Sequence, residues 1–578
     1  MLNNDAHFIF DSNHIEDIQS RLYGFYTTEK GIFTHTLPSE DIANATGIWI
    51  RVKRLEHSID ISQDHIGSFG LFLYQKDNYW ALSNSFNHLL DFLKQDHSLH
   101  LNDEYAQTYL AQQLCISAYG QTIIKEIQWL DRRALVQINI EDSSLDISYH
   151  ALNERKVECD SQQGIELLDA WHDKWAGFIN RAQEFWPGRI QVDVSGGMDT
   201  RMVLAPVLSS GVSFDRIVFN SHEKREEDYK IACEIADIFG FELNKNKDFD
   251  AFESYYPVEP FYERALWTIL FEKETYTPNI ERSVTPVAAF SGSSGGMIRN
   301  YHSNLTCSQY TEVVKRRIPK RLAKNKKVIK NIESLLEQSY QAIHSMLVQV
   351  EKRNPDESLN GFEFYLETRN RSHFGISNAR GSLSQFYSQS ILTDPLLMQL
   401  KTPKQYPDLI PTLIFTRYHS ALASVPIEGN RSLNKETLLY AKQLNEMYKR
   451  TTHSFQVKDN ENKDIHYSFM KPDCQCRTKM ENAKQIKPIK EQLEQAYQST
   501  LVQRLFKKHF GHSPNIWISS KKKNLHPKSN QYAIVAISKV LLDIQKGKDA
   551  PKDFEAFLKL CQKEKPNILN RFLKKGLV

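Results

Sequence analysis

The chain has 578 residues, 40% hydrophobic and 25% charged, too long for one core and sized for two or three domains. Its 73 basic and 70 acidic residues leave a net charge of +3, which gives no global attraction to nucleic acid or to a membrane surface. No apolar run approaches the roughly eighteen residues of a membrane span, the start from Met1 to Asn13 has neither a basic region nor an apolar signal core, and seven scattered cysteines form no disulfide framework. The expectation is a cytoplasmic protein without nucleic-acid partners or membrane insertion.

In chain order, residues 1 to about 150 are β-rich. Short β-branched or aromatic runs at Phe8–Phe10, Gly24–Tyr26, Gly47–Val52, Gly70–Tyr74, Tyr79–Leu82 and Ala134–Ile138 are bounded by turn residues, and Gln75–Asn78 reads as a hairpin connection. A helical insert from Tyr105 to Cys115 opens at Asn102-Asp103-Glu104. After an irregular join, Ile165, Leu168, Trp171, Trp175 and Phe178 hold helical spacing to about Trp186.

The richest segment follows. Ile190–Val194 alternates as a strand, Ser195-Gly196-Gly197 forms a turn, and Asp199–Ser209 has helical spacing. A glycine-rich turn between strand and helix lets backbone N–H groups converge on an anion at the positive end of the helix. Ser195 and Thr200 add hydroxyls, Asp199 is a candidate magnesium ligand, and Arg201 is a candidate for a phosphate or substrate carboxylate, or else a solvent-facing helix residue. No Gly-Lys-Ser/Thr follows, so this is not a Walker loop. A strand at Arg216–Phe219, a helix at Glu226–Phe239 ended by Gly240, and a further strand near Phe241–Leu243 continue the alternation, which argues for a doubly wound parallel sheet. From about residue 310 the pattern is mostly helical, with basic runs at Val314–Lys330 and Ser520–Lys523 that read as solvated faces. Cys474-Gln475-Cys476 lacks a partner pair for zinc.

Ser195-Gly196-Gly197-Met198-Asp199-Thr200 resembles the loop of the N-type ATP pyrophosphatases, which cleave ATP between the α and β phosphates. The ordered matches around it resemble the asparagine synthetase family over roughly residues 20 to 445. Gly67–Tyr74 and Trp80–Ser85 are similar to the hairpin of its class II glutamine amidotransferase domain, and Leu101–Glu104 through Ile127–Leu130 to that domain's later elements. Glu227–Tyr229 with Ala232, Ala236, Gly240 and Glu242 is similar to the helix after the ATP loop, Ala289–Gly292 to the second signature loop, and Ile391–Leu397 to the element that closes the active site.

The resemblance implies an antiparallel β, amidotransferase-like domain at 1–155 and a doubly wound ATP pyrophosphatase domain at 165–445 in an α/β chain, and the helical pattern beyond it is expected to form an extension at 446–578 packed on the second domain. It also implies departures. The family's amidotransferase nucleophile is an N-terminal cysteine, and here Leu2 follows Met1, so the expectation is a degenerate domain without glutaminase activity. The family's second loop carries carboxylates, whereas this one reads Ser291-Gly292-Ser293-Ser294-Gly295-Gly296-Met297-Ile298-Arg299, leaving metal binding to Asp199, with Asp193 as a nearby alternative whose strand position favours a structural role. Lys435 or Arg431 falls where the family places a transition-state cation, and either one is otherwise a surface side chain. Glu367, Arg369, Arg371, His373 and Arg380 lie where the family contacts its acceptor, or form a salt-bridge array.

The reading is an ATP- and magnesium-dependent ligase that adenylates a carboxylate, of a small molecule, sugar acid or peptide, and joins it to ammonia or an amine. Ser195, Gly196, Gly197, Asp199, Thr200, Arg201, Ser291 and Gly292 would bind nucleotide, Asp199 the metal, and Asp199, Lys435 and Arg299 would act in the chemistry. Adenine is expected near Val218-Phe219-Asn220. The alternative is a catalytically impaired scaffold that binds a nucleotide or a partner.

Overall fold

The computed structural model describes residues 7–150, 156–245, 287–298, 360–375, 387–450, 489–517 and 527–563, apart from gaps at 29–30, 35–36, 38–44, 107–109, 111–119 and 186–188 and at single positions, together with Glu253–Tyr255, Ile280–Arg282 and a few helical residues between 309 and 352. The fold is mixed α/β, with antiparallel sheets in the N-terminal region followed by many helices. Among the described residues no helix is long and apolar enough to cross a membrane.

The N-terminal part contains β1 (Ile9–Asp11), β2 (Arg21–Thr28), β3 (Gly31–Thr34), β4 (Thr46–Arg54), β5 (Ser58–Gln63), β6 (Phe72–Lys76), β7 (Tyr79–Ser83), α1 (Phe86–Leu93), β8 (Ile127–Trp129), β9 (Ala134–Asn139) and β10 (Leu145–Tyr149). They form antiparallel sheets in the orders β1-β7-β6-β8 and β10-β9-β5-β4-β2-β3. Period-two alternation places Leu71, Leu73, Trp80 and Leu82 of the smaller sheet in one core with Ile50, Val52, Ile59, Ile61, Val136 and Ile138 of the larger sheet. The intervening Phe72, Tyr74 and Ala81 belong to a different core on the outer face.

The parallel domain contains α2 (Gln162–Phe185), β11 (Arg189–Asp193), α3 (Met198–Ser209), β12 (Ile217–Asn220), α4 (Glu226–Phe239), β13 (Val287–Phe290), β14 (Tyr387–Gln389), α5 (Leu409–Tyr418) and α6 (Lys435–Met447). Its sheet order is β12-β11-β13-β14, all parallel. The connection from β11 runs to β12 on one side and that from β13 to β14 on the other, so the crevice between the carboxyl ends of β11 and β13 is a switch point of the kind where α/β sheets bind ligands. Trp175 and Phe178 of α2 pack edge-on against Phe290 of β13, at 6.4 and 6.3 Å between ring centroids. The expected strand near Phe241–Leu243 reduces to one parallel bridge between Phe219 and Leu243.

The tail contributes α7 (Ile489–Gln498), α8 (Thr500–Phe510), α9 (Pro527–Lys546) and α10 (Phe554–Lys563). Leu493, Val502, Ile534, Val540 and Phe557 share the core of Phe72, Tyr74, Ala81 and Leu89. The tail therefore packs on the N-terminal region, which corrects the expectation that it packs on the nucleotide domain. The reason is the outer face of the small sheet, which is apolar and needs cover. In α9, Lys539 Nζ lies 2.6 Å from Asp543, and Lys94 Nζ beyond α1 lies 3.5 Å from the same carboxylate. Deleting residues 489–563 should expose this face and give an aggregating protein that binds a hydrophobic dye. A soluble monomer with an unchanged melting temperature would contradict the docking described here.

Candidate nucleotide-binding site

At the carboxyl end of β11, Val194 N–H donates to Asn220 O (2.8 Å), prolonging the β11–β12 pairing to the edge of the turn. Gly197 is the N-cap of α3, in extended conformation, and gives the helix no side-chain cap. The hydroxyls set the shape of the turn. Ser195 Oγ accepts from Gly197 N–H (3.1 Å) and pairs with Thr200 Oγ1 (3.0 Å), which also reaches Gly197 O (3.1 Å).

The second loop, following β13, packs on this turn. A Cβ on Gly292 would lie 2.7 Å from Thr200 N, and one on Gly295 would lie 2.3 Å from Asp199 Cγ, so only glycine allows the two loops to meet here. Ser291 Oγ pairs with Ser293 Oγ at 2.8 Å. Ser294 takes a left-handed conformation (φ 70°) and is 1% exposed. Ser390, after β14, donates from its hydroxyl to Ser293 O. Arg299 lies outside the described residues.

A third segment closes one side. Ile427 and Arg431 form a short antiparallel bridge around Gly429 (φ +77°), and Glu428 N–H donates to Gly196 O at 2.9 Å. Arg431 is exposed and donates from Nε to Glu428 O. Lys435 is exposed on the first turn of α6, just after the N-cap Asn434.

Two expected side chains point elsewhere. Arg201 is 1% exposed and donates to Leu422 O, Val425 O, Gly196 O and Pro426 O. It is a buried tie between the turn and the 422–426 segment, which corrects its assignment to a phosphate. Burial holds its guanidinium down to about 10, with Glu234 opposing. Asp193 accepts from Asn220 Nδ2 (3.0 Å), and burial raises its carboxyl above the usual range, a structural role at the strand end. Phe219, where adenine was expected, is buried and stacked on Phe241 at 3.9 Å.

The Ile391–Leu397 element is an anchor. Asp394 is fully buried and accepts from Thr46 Oγ1 (2.9 Å), Lys174 Nζ (2.7 Å), Trp175 Nε1 (2.9 Å) and Leu396 N–H (2.9 Å), tying β4 to α2. Of the expected acceptor cluster, Glu367 and Arg371 sit on a π-helical stretch, Leu366–Gly375, pressed against the N-terminal domain. Arg371 donates to Glu367 (2.9 Å) and covers the Trp129 ring at 4.2 Å, and Arg132 approaches Glu367 at 3.1 Å and Glu363 at 3.0 Å. Burial and the neighbouring Asp131 push Glu367 up to about 8. These two residues form a buried ion-pair cluster between the 366–375 stretch and the N-terminal sheets. The side chains of Arg369 and His373, and all of Arg380, lie outside the described residues.

The far end of α3 is clamped. Ser209 Oγ lies 3.0 Å from His172 Nε2 and 2.9 Å from His419 Nε2, while His172 Nδ1 meets Asp173 at 3.1 Å. Tyr418 stacks on His172, Arg450 covers Tyr418, and Arg417 pairs with Asp169. Burial, with His172 and Arg450 adding to it, lowers His419 to about 4, and burial also lowers His172. The folded value of His419 lies below the unfolded one, so its contribution is present above about pH 6.5 and is lost as pH falls towards about 4. Relative to His419→Gln, the wild type should lose roughly 2 kcal/mol between pH 7 and pH 4.5 in thermal or denaturant melts, allowing for partial solvent screening. Parallel pH profiles for the two proteins would contradict this.

Sequence reasoning missed Asp228, on the first turn of α4. A Cβ on Gly196 would lie 2.9 Å from its Oδ1. The run Glu226-Glu227-Asp228 reads as ordinary helix N-terminal charge, and only the packing of α4 on the loop distinguishes its third member.

No protein-family model matches the sequence, and no curated protein matches it. Among solved structures, the chain is similar to the glutamine phosphoribosylpyrophosphate (PRPP) amidotransferase from B. subtilis complexed with ADP and GMP, at 11% identity and a TM-score of 0.12, covering 44% of this chain and 45% of that one. The match thus spans less than half of that protein, and at this TM-score it carries no weight for the site.

Proposed function

We propose that this chain is an ATP-dependent carbon–nitrogen ligase of the asparagine synthetase type, which activates a carboxylate as its adenylate and releases pyrophosphate. The observation that carries the reading is the convergence on the Ser195–Thr200 turn of Gly292 and Gly295 from one side and the Glu428 N–H from another. A carboxylate oxygen of the substrate attacks the α-phosphorus and the bond to the β-phosphate oxygen breaks, with pyrophosphate leaving. Ammonia or an amine then attacks the acyl carbon, AMP departs, and the nitrogen loses a proton to give the amide.

The protein's share is charge placement. The N–H groups opening α3 and the hydroxyls of Ser195 and Thr200 would hold the leaving pyrophosphate. The Asp199 carboxylate, packed against Gly295 beside the positive end of α3, is a hard oxygen donor that suits magnesium, and it would hold that ion where it neutralises pyrophosphate charge. Ser291 and Gly292 would border the same pocket, and Lys435 would add positive charge at its rim.

ATP–pyrophosphate exchange with a panel of amino, sugar and peptide carboxylates tests the reading. Carboxylate-dependent exchange supports it. The second loop's lack of carboxylates favours the alternative of a nucleotide-binding scaffold, and ATP binding without exchange against any acid would establish that instead. Lys435→Ala should leave the melting temperature unchanged, as the residue is exposed, while slowing exchange if it acts at the rim.

A further inference from the structure

The Ser195–Thr200 turn has two acidic neighbours. Asp199 opens α3, and Asp228 approaches from α4 with its Oδ1 lying 2.9 Å from the position of a Gly196 Cβ. The Asp228 side chain is 16% exposed, and its Oδ1 is buried with no hydrogen-bond partner among the described residues. Arg225 comes no nearer than 4.0 Å to the other oxygen, from an exposed position. A buried carboxylate oxygen without a donor is costly. On the second loop, Ser294 is 1% exposed and its Oγ likewise has no partner among the described residues, one residue from the Gly295 contact with Asp199.

A phosphate held by the N–H groups of this turn would share it with the Asp228 carboxylate. Two anions brought together in a partly buried site repel unless a cation lies between them. The second loop, Ser291–Ile298, offers no carboxylate to hold one. We propose that Asp228 is a second divalent-cation ligand at this turn, supplying with Asp199 the anionic oxygens that the second loop lacks. The inference rests on the nucleotide reading of the Ser195 turn. The ligand class is a hard divalent cation, magnesium or manganese, bound together with a nucleoside triphosphate. Stabilisation of the α4 dipole does not account for the placement, because the exposed Glu226 and Glu227 on the same turn supply that charge without meeting Gly196.

The test titrates manganese into the full chain by electron paramagnetic resonance, with and without a non-hydrolysable ATP analogue, and measures analogue binding in EDTA. Asp228→Asn should weaken manganese binding in the presence of the analogue by tenfold or more. Metal-free analogue binding should be unchanged or tighter, because a repulsive charge is gone. Glu227→Gln should match the wild type. If Asp228→Asn fails to fold, Asp228→Ser provides the same comparison. Wild-type manganese affinity in a folded Asp228 variant overturns the proposal while leaving the nucleotide reading intact. A wild type that binds no analogue under either condition overturns both.

Discussion

Asp199→Ala should reduce ATP–pyrophosphate exchange by about two orders of magnitude or more while leaving the protein folded. The substitution removes an anionic oxygen beside several phosphate charges, which costs transition-state stabilisation of roughly 3 kcal/mol, and each ~1.4 kcal/mol is a factor of ten in rate. The fold should tolerate the change because residue 199 lies on the first turn of α3 and alanine fits a helix. Removing the carboxylate also takes away the group packed against Gly295, so the second loop should loosen locally without unfolding. Thr200→Ala should cost less, since a neutral hydroxyl is lost and Ser195 Oγ keeps its bond from Gly197 N–H. Exchange measured at saturating magnesium, with circular dichroism as the folding control, checks both variants. Unchanged exchange in Asp199→Ala would refute the site.

Arg201→Met should show the opposite pattern, a large loss of stability. Its guanidinium donates to carbonyls at Gly196, Leu422, Val425 and Pro426, and methionine leaves these buried acceptors without that donor. The expected loss is roughly 3 kcal/mol or more, a fall in melting temperature of about 10 °C for a domain of this size. Nucleotide affinity should fall with it, because the 422–428 segment that Arg201 holds also bonds to Gly196 through the Glu428 N–H. Lysine should not rescue the variant, since one ammonium cannot reproduce the forked donor set. A melt within 2 °C of the wild type would show that these bonds are not what holds the segment.

The strands of the N-terminal region were legible because segments such as Gly47–Val52 and Tyr79–Leu82 are short β-branched or aromatic runs bounded by turn residues. Being apolar on both faces, the same runs hid the docking of the tail, since Phe72 and Tyr74 face a second core that no local pattern distinguishes from the first. β5 and β10 escaped notice because Ser58–Gln63 and Leu145–Tyr149 mix polar residues into the strand, and β14 reads only Tyr-Ser-Gln. Its pairing with β13 is a long-range fact.

Within the site, the Ser195 turn announces itself because glycine, hydroxyl and acidic residues at that spacing have few other uses. The match of Gly292 and Gly295 to Asp199 and Thr200 required three dimensions. Arg201 misled because a cation beside a phosphate loop invites a phosphate contact, whereas the rotation of α3 turns it towards backbone carbonyls. Asp394 and Glu367 sit in segments that a family pattern assigns to catalysis, and here their partners are Lys174, Trp175, Arg132 and Arg371, which bind the domains together.

As proposed, the Ser195–Thr200 turn would grip the pyrophosphate end of ATP for cleavage between the α and β phosphates. Following ATP labelled separately at the α and γ positions, with magnesium and the carboxylate that best supports exchange, tests it most directly. Label is expected in AMP and in pyrophosphate, in equal amounts and dependent on both the carboxylate and Asp199. Label appearing in ADP and inorganic phosphate, or ATP left intact with every carboxylate offered, would contradict it.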